Sequence, residues 1–269
     1  MVPTLPGTLS IFLYLLASIL LVRRLARGPE APGCQRITIL LVSLGAVIIH
    51  AFFLYPGILQ DSGLNLGFFY AASLIALTTA LLLVSASVFE PVENLGICVF
   101  PLAALSIGLI LAWPAQHILT DASAWQLDTH ILSSLLAYSI LGLAVVQAVL
   151  LAIQDRHLLN RKPGGFIRAL PPLQVMENLL FQMIAIGFTL LTLSLVTGAL
   201  FLEDIFAQHL VHKTALSIMA WGIFGVLLWG RWRFGWRGGT AIRWTIGGFI
   251  FLMLAYFGSK FVLELVLSR

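Results

Sequence analysis

The sequence predicts an all-α fold, a polytopic membrane bundle of about eight transmembrane helices with both termini outside the cytoplasm. Of the 269 residues, 60% are hydrophobic and only 10% are charged, whereas a soluble domain carries about 25% charged residues. Eight apolar runs approach the roughly 20 residues that a membrane helix needs. These runs are continuous, which argues against a transmembrane barrel, since barrel strands alternate over segments of about ten residues.

The eight predicted helices form one predicted domain over residues 1–269. They cover residues 7–22, 37–55, 66–88, 95–113, 129–153, 179–202, 212–230 and 242–266. The longest connection, Gln154–Asn178, contains Pro171 and Pro172, which exclude helix because proline lacks a backbone N–H and clashes with the preceding turn. The amphipathic stretch QVMENLLFQM that follows is predicted to lie along the membrane interface before helix six enters the bilayer.

The basic residues set the predicted orientation. Arg23, Arg24 and Arg27 follow the first apolar run, whereas a secretory signal places its positive charges before that run, so the first helix is predicted to be retained. Twelve of the fifteen basic residues fall after helices one, five and seven: Arg23, Arg24, Arg27, Arg36, Arg156, Arg161, Lys162, Arg168, Arg231, Arg233, Arg237 and Arg243. The positive-inside rule places these loops in the cytoplasm. This distribution favours a lipid bilayer as partner and argues against nucleic acid.

The sequence lacks the motifs that mark several classes of function. Cys34 and Cys98 form no CxxC pair, so they support neither a disulfide framework nor a zinc site, and no CxxCH is present to attach haem covalently. The chain has no Walker motif, no GxGxxG, no HExxH and no defensible Ser/His/Asp arrangement, so it is predicted not to be an enzyme. Paired membrane carboxylates and an evident inverted repeat are missing too, which disfavours a transporter.

Five of the six histidines, all but His157, lie on the predicted outer side. His50 lies near the end of helix two and His130 a few residues into helix five, at a similar predicted depth. Because histidine is the usual axial ligand of haem iron, these two imidazoles could bind one iron between them. The alternative is that each imidazole hydrogen-bonds a neighbouring hydroxyl or carbonyl group.

The helix face that carries His130 is small and polar. Ser133, Ser134, Ala137 and Tyr138 follow His130 at intervals of three, four, seven and eight residues, which places them on one face of a helix. That face is predicted to lie against protein or ligand, and Ser134 and Tyr138 are candidate cofactor contacts.

Two further segments carry candidate binding residues. His209 and His212, three residues apart, would share a face that suits a metal or a haem edge, so His212 is a candidate; a solvated helix start beside Lys213 is the alternative. The segment LLWGRWRFGWRGG alternates arginine with tryptophan. It is predicted either to anchor the membrane interface or to contact anionic headgroups or a partner.

Five stretches resemble the cytochrome c assembly family, the haem-handling group of CcsA and CcmC. They are IIHAFFL (Ile48–Leu54), THILSSLLAYSIL (Thr129–Leu141), GFTLLTLSLVTGALF (Gly187–Phe201), GWRGGTAIRW (Gly235–Trp244) and LAYFGSKFV (Leu254–Val262). The first two resemble its YpjD/HemX-like branch. The resemblance implies a multi-spanning protein that holds haem on its outer face through axial histidines and presents it to apocytochrome c. By this resemblance, His130 matches a family histidine and His50 a histidine of the branch.

The chain departs from the family pattern at three places. The family's tryptophan-rich WD segment should precede helix seven, where this chain reads EDIFAQHLVHKTAL. Trp229 stands where the family has a histidine near the end of helix seven, and the chain ends in LELVLSR where the family has its second outer histidine. The resemblance therefore implies the family's fold with part of its site missing, and the chain is not predicted to make thioether bonds alone.

The predicted function is that of a bacterial inner-membrane protein that holds haem b on its outer face. His50 and His130 are the predicted ligands, with Tyr138, Ser134 and His212 as nearby contacts. The alternative is a haem-free accessory or regulatory subunit of HemX type, which docks a membrane or cytoplasmic protein partner through the basic loops Gln154–Arg168 and Arg231–Arg243.

Overall fold

A computed structural model of the chain describes residues 4–27, 35–60, 63–113, 118–119, 125–159, 170–201, 208–258 and 260–261. Within these residues, eight helical segments are long and apolar enough to cross a membrane, which confirms the predicted polytopic helical fold. The α-helices are α1 (Thr4–Arg27), α2 (Arg36–Ile58), α3 (Phe68–Phe89), α4 (Gly96–Ala112), α5 (Trp125–Leu159), α6 (Leu173–Phe201), α7 (Gln208–Phe234) and α8 (Gly239–Met253).

Large apolar side chains cover the outside of the helices as well as the core. Leu41 is 61% exposed and Phe52 is 75% exposed, although both lie inside α2. A water-soluble protein rarely exposes contiguous apolar surface of this kind, because apolar surface is unfavourable in water. The bilayer is therefore the solvent that suits these helix faces.

The chain divides into two compact units. The first unit comprises Met1–Thr120 with Ile153–Leu173, and the second comprises Asp121–Ala152 with Gln174–Arg269. The single domain expected over residues 1–269 stays a prediction.

In the first unit, four helices close into a bundle. α1 packs against α2 and α4, and α3 packs against the same two helices. The core between them contains the fully buried side chains of Tyr14, Phe53, Leu83 and Ile107. Each helix therefore has a neighbour on both sides, and polar groups on the inner faces must find partners within the bundle.

A small antiparallel sheet lies at one end of the first unit. It joins β1 (Leu59–Gln60), β2 (Gly63–Asn65) and β3 (Ile118–Leu119) in that order. Leu64 is paired with Leu59 on one side and with Leu119 on the other. These strands are not predicted from the sequence, because a strand of two or three residues is too short to show the alternation of apolar and polar residues. The sheet connects the α2–α3 loop to the segment after α4.

The helices of the second unit run antiparallel to their neighbours. The Gln147 side chain on α5 donates to the Met176 carbonyl of α6 at 2.9 Å, whereas His130, near the start of α5, contacts the carbonyl of Ser194 towards the end of α6. α5 and α6 therefore run antiparallel to each other.

α7 and α8 also run antiparallel to the helices that they contact. The indole N–H of Trp221 on α7 donates to the Thr192 hydroxyl of α6 at 2.9 Å, while Arg231 at the end of α7 reaches Asn178 near the start of α6. α8 packs against α7 and also reaches α5, because the Tyr138 hydroxyl donates to the Leu252 carbonyl at 2.6 Å. The starts of α5 and α7 and the ends of α6 and α8 thus lie at the same end of this unit.

Several helix boundaries differ from the sequence-based expectation. α5 continues to Leu159, so the first residues of the predicted Gln154–Asn178 connection are helical, and α1 extends to Arg27. α6 begins at Leu173, directly after the two prolines, so QVMENLLFQM forms its first turns instead of a separate interface segment. Met176 and Leu180 in this stretch are buried, and their packing explains the continuous helix. α8 ends at Met253 and is followed by a π-helical segment, Leu254–Gly258, whereas the predicted helix continued to residue 266. Residues 262–266 lie outside the described residues.

Candidate functional site

His50 is fully buried on α2 and has a partner on each ring nitrogen. Its Nδ1 lies 3.2 Å from the Tyr14 hydroxyl of α1, and its Nε2 lies 2.9 Å from the Ser73 hydroxyl of α3. Ser73 is in turn 3.0 Å from the Ser106 hydroxyl of α4. One polar chain therefore crosses all four helices of the first unit.

We assign the hydrogens of this polar chain from its far end. The Ser106 hydroxyl lies 2.8 Å from the Ala103 carbonyl, which can only accept. With the Ser106 hydrogen on that carbonyl, Ser73 donates to Ser106 and accepts from Nε2–H of His50, and Nδ1 accepts from the Tyr14 hydroxyl. Both ring nitrogens of His50 have a hydroxyl partner in either tautomer.

His130 is half-buried on α5 and uses only one of its nitrogens. Nδ1 lies 2.9 Å from the Ser194 carbonyl oxygen. Because a carbonyl can only accept, Nδ1 carries the hydrogen, and the neutral ring keeps its lone pair on Nε2. Among the described residues, no group pairs with that nitrogen. Histidines that bind metal characteristically donate their other N–H to a carbonyl or carboxylate in this way.

The other residues predicted near His130 are satisfied locally. The Ser133 hydroxyl donates to the His130 carbonyl at 3.1 Å, and the Ser134 hydroxyl donates to the Ile131 carbonyl at 2.9 Å. Tyr138 is buried and donates to the Leu252 carbonyl. Ser134 and Tyr138 therefore shape the surroundings of His130 through packing, and their role as direct cofactor contacts stays a prediction.

The structure distributes the predicted site residues over both units. His130, Ser134, Tyr138 and His212 belong to the second unit, where His130 and the exposed His212 lie at the same end of the bundle. His50 belongs to the first unit, so its pairing with His130 on one iron stays a prediction. The side chain of His209 lies outside the described residues. In the described part of the chain, no group of three or more His, Cys, Asp or Glu side chains could hold a metal ion.

Sequence reasoning did not foresee the partners of the two histidines. Tyr14, Ser73 and Ser106 are polar residues within apolar runs, and this was the available signal, because a buried polar group in a membrane helix needs a partner. Ser194 gave no such signal, since His130 contacts its backbone carbonyl.

Part of the arginine- and tryptophan-rich segment is structural. The Arg231 guanidinium lies 4.6 Å from the centre of the Phe181 ring and donates to the Trp236 carbonyl at 3.2 Å. A carboxylate oxygen of the buried Glu177 on α6 accepts from the Gly238 N–H at 2.7 Å. The remaining groups are directed outward: Arg233 and Arg237 are exposed, and so is Trp232, at 82%.

The fold and these polar groups define a polytopic helical membrane protein with histidines held inside its helical units. The chain belongs to the cytochrome c assembly protein family, whose model matches residues 37–267. It is 34% identical to the inner membrane protein YpjD of Escherichia coli K12 over 87% of this chain and 89% of that protein. It is 23% identical to the protein HemX of Brevibacillus brevis over 54% of each chain.

The relation to cytochrome c biogenesis factors is more distant. The cytochrome c biogenesis protein CcsA of Gloeobacter violaceus is 26% identical over 34% of this chain and 28% of its own. No solved structure matched the chain. The family resemblance expected from the sequence is thus confirmed, including its YpjD- and HemX-like branch.

Proposed function

We propose that this protein binds haem b in the inner membrane and holds it at the outer face through His130. The observation that carries the proposal is the hydrogen bond from Nδ1 of His130 to the Ser194 carbonyl, which leaves Nε2 with a lone pair for iron. The family match and the relation to CcsA, a cytochrome c biogenesis protein, support haem as the ligand. The similarity to an inner membrane protein supports the location.

The chain's own residues would hold and orient the ligand. The Ser194 carbonyl accepts the hydrogen bond from Nδ1–H of His130 and thereby fixes the tautomer and the ring plane. Haem b, when bound, would supply an iron centre that can gain or lose one electron. The chain has no CxxCH of its own, and the proposed role is binding and presentation without enzymatic chemistry.

Unlike His130, His50 has no ring nitrogen without a hydrogen-bond partner. Its Nε2 donates to Ser73 and its Nδ1 accepts from Tyr14, so ligation of iron by His50 requires one of these bonds to break. His130 is therefore the ligand that the hydrogen bonding favours, and the second axial ligand predicted at His50 is an additional hypothesis.

The test is an absorption spectrum of the detergent-purified protein, oxidised and reduced, with haem supplied during expression. The wild type is expected to show a b-type spectrum at one haem per chain. His130→Gly should lose or change this spectrum, and added imidazole should restore it by taking the vacated place. His157→Gly is the matched control, because the His157 imidazole bonds the Ile153 carbonyl of its own helix, away from the His130 end of α5.

The spectra separate the outcomes. An unchanged spectrum in His130→Gly contradicts ligation by His130, and a wild type that refuses haem contradicts the proposed function. His50→Asn, measured alongside, decides the second hypothesis: a change from low to high spin would support ligation by His50, and an unchanged spectrum would assign His50 to packing alone.

One observation favours a second candidate, a haem-free accessory subunit. Arg233 and Arg237 are exposed beside Trp232 and together present charge and an aromatic surface at one end of the second unit. Aromatic and arginine residues are enriched in protein interfaces. If the wild type is colourless and refuses haem, loss of a co-purifying partner on Arg233→Glu and Arg237→Glu substitution would support this alternative.

A further inference from the structure

We propose that the turn between α7 and α8 binds the headgroup phosphate of an anionic phospholipid. The surface around this turn, which we name the arginine surface, comprises five exposed side chains: Trp232, Arg233, Phe234, Arg237 and Arg243. It lies at the end of the second unit opposite to His130, because His130 contacts the end of α6 and Arg231 contacts its start. The proposal is therefore independent of haem binding.

Two membrane helices meet at the arginine surface. The apolar spans on either side of the turn are His212–Phe234 and Gly239–Gly258, so residues 235–238 lie at the boundary of the bilayer. Lipid headgroups occupy that level, and tryptophan is enriched there because its ring is apolar and its N–H is polar. Trp232 is 82% exposed and Phe234 is 60% exposed, so both rings are available to lipid.

Contacts inside the second unit hold the turn in a defined conformation. Gly235 and Gly238 have φ of +67° and +55°, in the left-handed region that favours glycine. The N–H groups of Gly235 and Trp236 bond carbonyls in the last turns of α7. The Trp236 ring stacks on Phe234, with 6.4 Å between the ring centres, and lies 5.5 Å from the ring of Trp244 on α8. The backbone that carries the arginines is thus already ordered, which lowers the entropy cost of binding a ligand.

The arginine surface has an excess of positive charge. In the described part of the chain, no salt bridge joins its arginines to a carboxylate. The acidic side chain that reaches the turn, Glu177, is buried and accepts from the Gly238 N–H at 2.7 Å. Nε of Arg243 donates to the Gly239 carbonyl at 3.1 Å, which holds its guanidinium at the first turn of α8, next to residues 235–238. Three exposed arginines therefore stand beside one carboxylate that is already engaged.

An anionic phospholipid matches the charge and the apolar rings of this surface together. A guanidinium group donates paired hydrogen bonds to phosphate oxygens, and acyl chains would lie against the exposed rings of Trp232 and Phe234. A free phosphate ion would use only the arginines. A zwitterionic lipid carries its own cation, which competes with the arginines for the phosphate. The surface therefore favours phosphatidylglycerol, whose phosphate is the only charge of its headgroup.

The test is a titration of the full-length protein, purified in an uncharged detergent, with fluorescently labelled phosphatidylglycerol and phosphatidylcholine. The wild type should bind phosphatidylglycerol more tightly. Substituting Arg233→Gln and Arg237→Gln together should weaken binding of phosphatidylglycerol by about 10- to 30-fold, as expected for the loss of two basic residues beside an anionic lipid. Binding of phosphatidylcholine should change little. Trp232→Ala should weaken the binding of both lipids equally, because it removes apolar contact without changing the charge.

A second pair of arginines provides the matched control. Arg23 and Arg27 are exposed at the end of α1, a helix without tryptophan. Replacing both by glutamine removes the same charge and should leave the preference for phosphatidylglycerol in place. An excess of glycerol phosphate, which has a phosphate but no acyl chains, should not displace the labelled lipid. Thermal unfolding of each variant should match that of the wild type, because the substituted side chains are exposed.

The outcomes separate a lipid site from its alternatives. Equal losses in the two arginine pairs would overturn the proposal, since affinity would then follow net charge alone. Equal binding of the two lipids by the wild type would overturn it too, as would displacement of the lipid by glycerol phosphate. If the Arg233→Gln and Arg237→Gln substitutions release a co-purifying protein while lipid affinity stays unchanged, the surface is a protein interface and the lipid proposal fails. None of these measurements requires haem, so the proposed function is tested separately.

Discussion

At the scale of single residues, both nitrogens of the buried His50 imidazole have a hydroxyl partner. The Tyr14 hydroxyl lies beside Nδ1, the Ser73 hydroxyl lies beside Nε2, and Ser106 continues the chain from Ser73. Every ring nitrogen in this buried chain is satisfied. The sequence left two interpretations of His50 open, and its ligation of iron stays a prediction.

The polar chain predicts an unequal response of two serines on α3. Ser73→Ala leaves the buried Nε2–H of His50 without an acceptor, which should lower the free energy of unfolding by about 1–3 kcal/mol. The measurement is thermal or denaturant unfolding in detergent. Ser87→Ala is the control, because the equally buried Ser87 hydroxyl bonds only the Leu83 carbonyl of its own helix. Equal losses for the two variants would contradict the inferred role of Ser73.

At the scale of elements, the start of α8 depends on a side chain from α6. Gly238, the N-cap of α8, has φ +55°, a left-handed conformation that favours glycine, and glycine has no side chain to cap the helix. Its own N–H is satisfied by the carboxylate of Glu177. The segment expected to anchor the interface or bind a partner thus also contains a structural turn.

This contact predicts a loss of stability when the carboxylate is removed. Glu177→Ala should lower the free energy of unfolding by about 1–2 kcal/mol, comparable to the loss of a helix cap, because the Gly238 N–H loses its acceptor. Glu177→Gln retains an acceptor oxygen and should lose less, since only the charge-assisted part disappears. Glu90→Ala, at an exposed position, is the control for removal of a surface carboxylate. An Ala variant as stable as the wild type would show that solvent replaces Glu177.

The sequence predicted one side of the boundary before α6. Pro171 and Pro172 were expected to exclude helix and they precede α6, but the helix begins at Leu173, earlier than the predicted start at residue 179. The three short strands and the π-helical segment Leu254–Gly258 were not predictable, because each depends on contacts between distant parts of the chain. The hydrogen bond from Tyr138 to Leu252 is one such contact, joining residues far apart in the sequence.

At the scale of the whole molecule, the distribution of charge predicts the orientation in the membrane. In the second unit, Arg233 and Arg237 lie at the end where α7 passes into α8, and His130 lies at the opposite end. The positive-inside rule places the arginine end in the cytoplasm. The proposed haem site then lies at the outer face.

Cysteine labelling tests this orientation. Cys34 and Cys98 are first replaced by serine, and single cysteines are introduced at the exposed positions Asp128 and Arg237. A membrane-impermeant maleimide should label Asp128→Cys in intact cells and Arg237→Cys only after the membrane is opened, because the bilayer separates the two sides. Labelling with the opposite pattern would reverse the sidedness of the proposed site.

The sequence by itself determined the membrane character, the eight helices and the family of this protein, because these depend on composition, on runs of apolar residues and on local motifs. It also pointed to His50 and His130 as the polar exceptions that need an explanation. Only the tertiary structure decided what each imidazole contacts: the Tyr14 and Ser73 hydroxyls at His50, and the Ser194 carbonyl at His130. The physical reason is that the lone pair left on a histidine is set by its neighbours in space, and those neighbours lie on other helices.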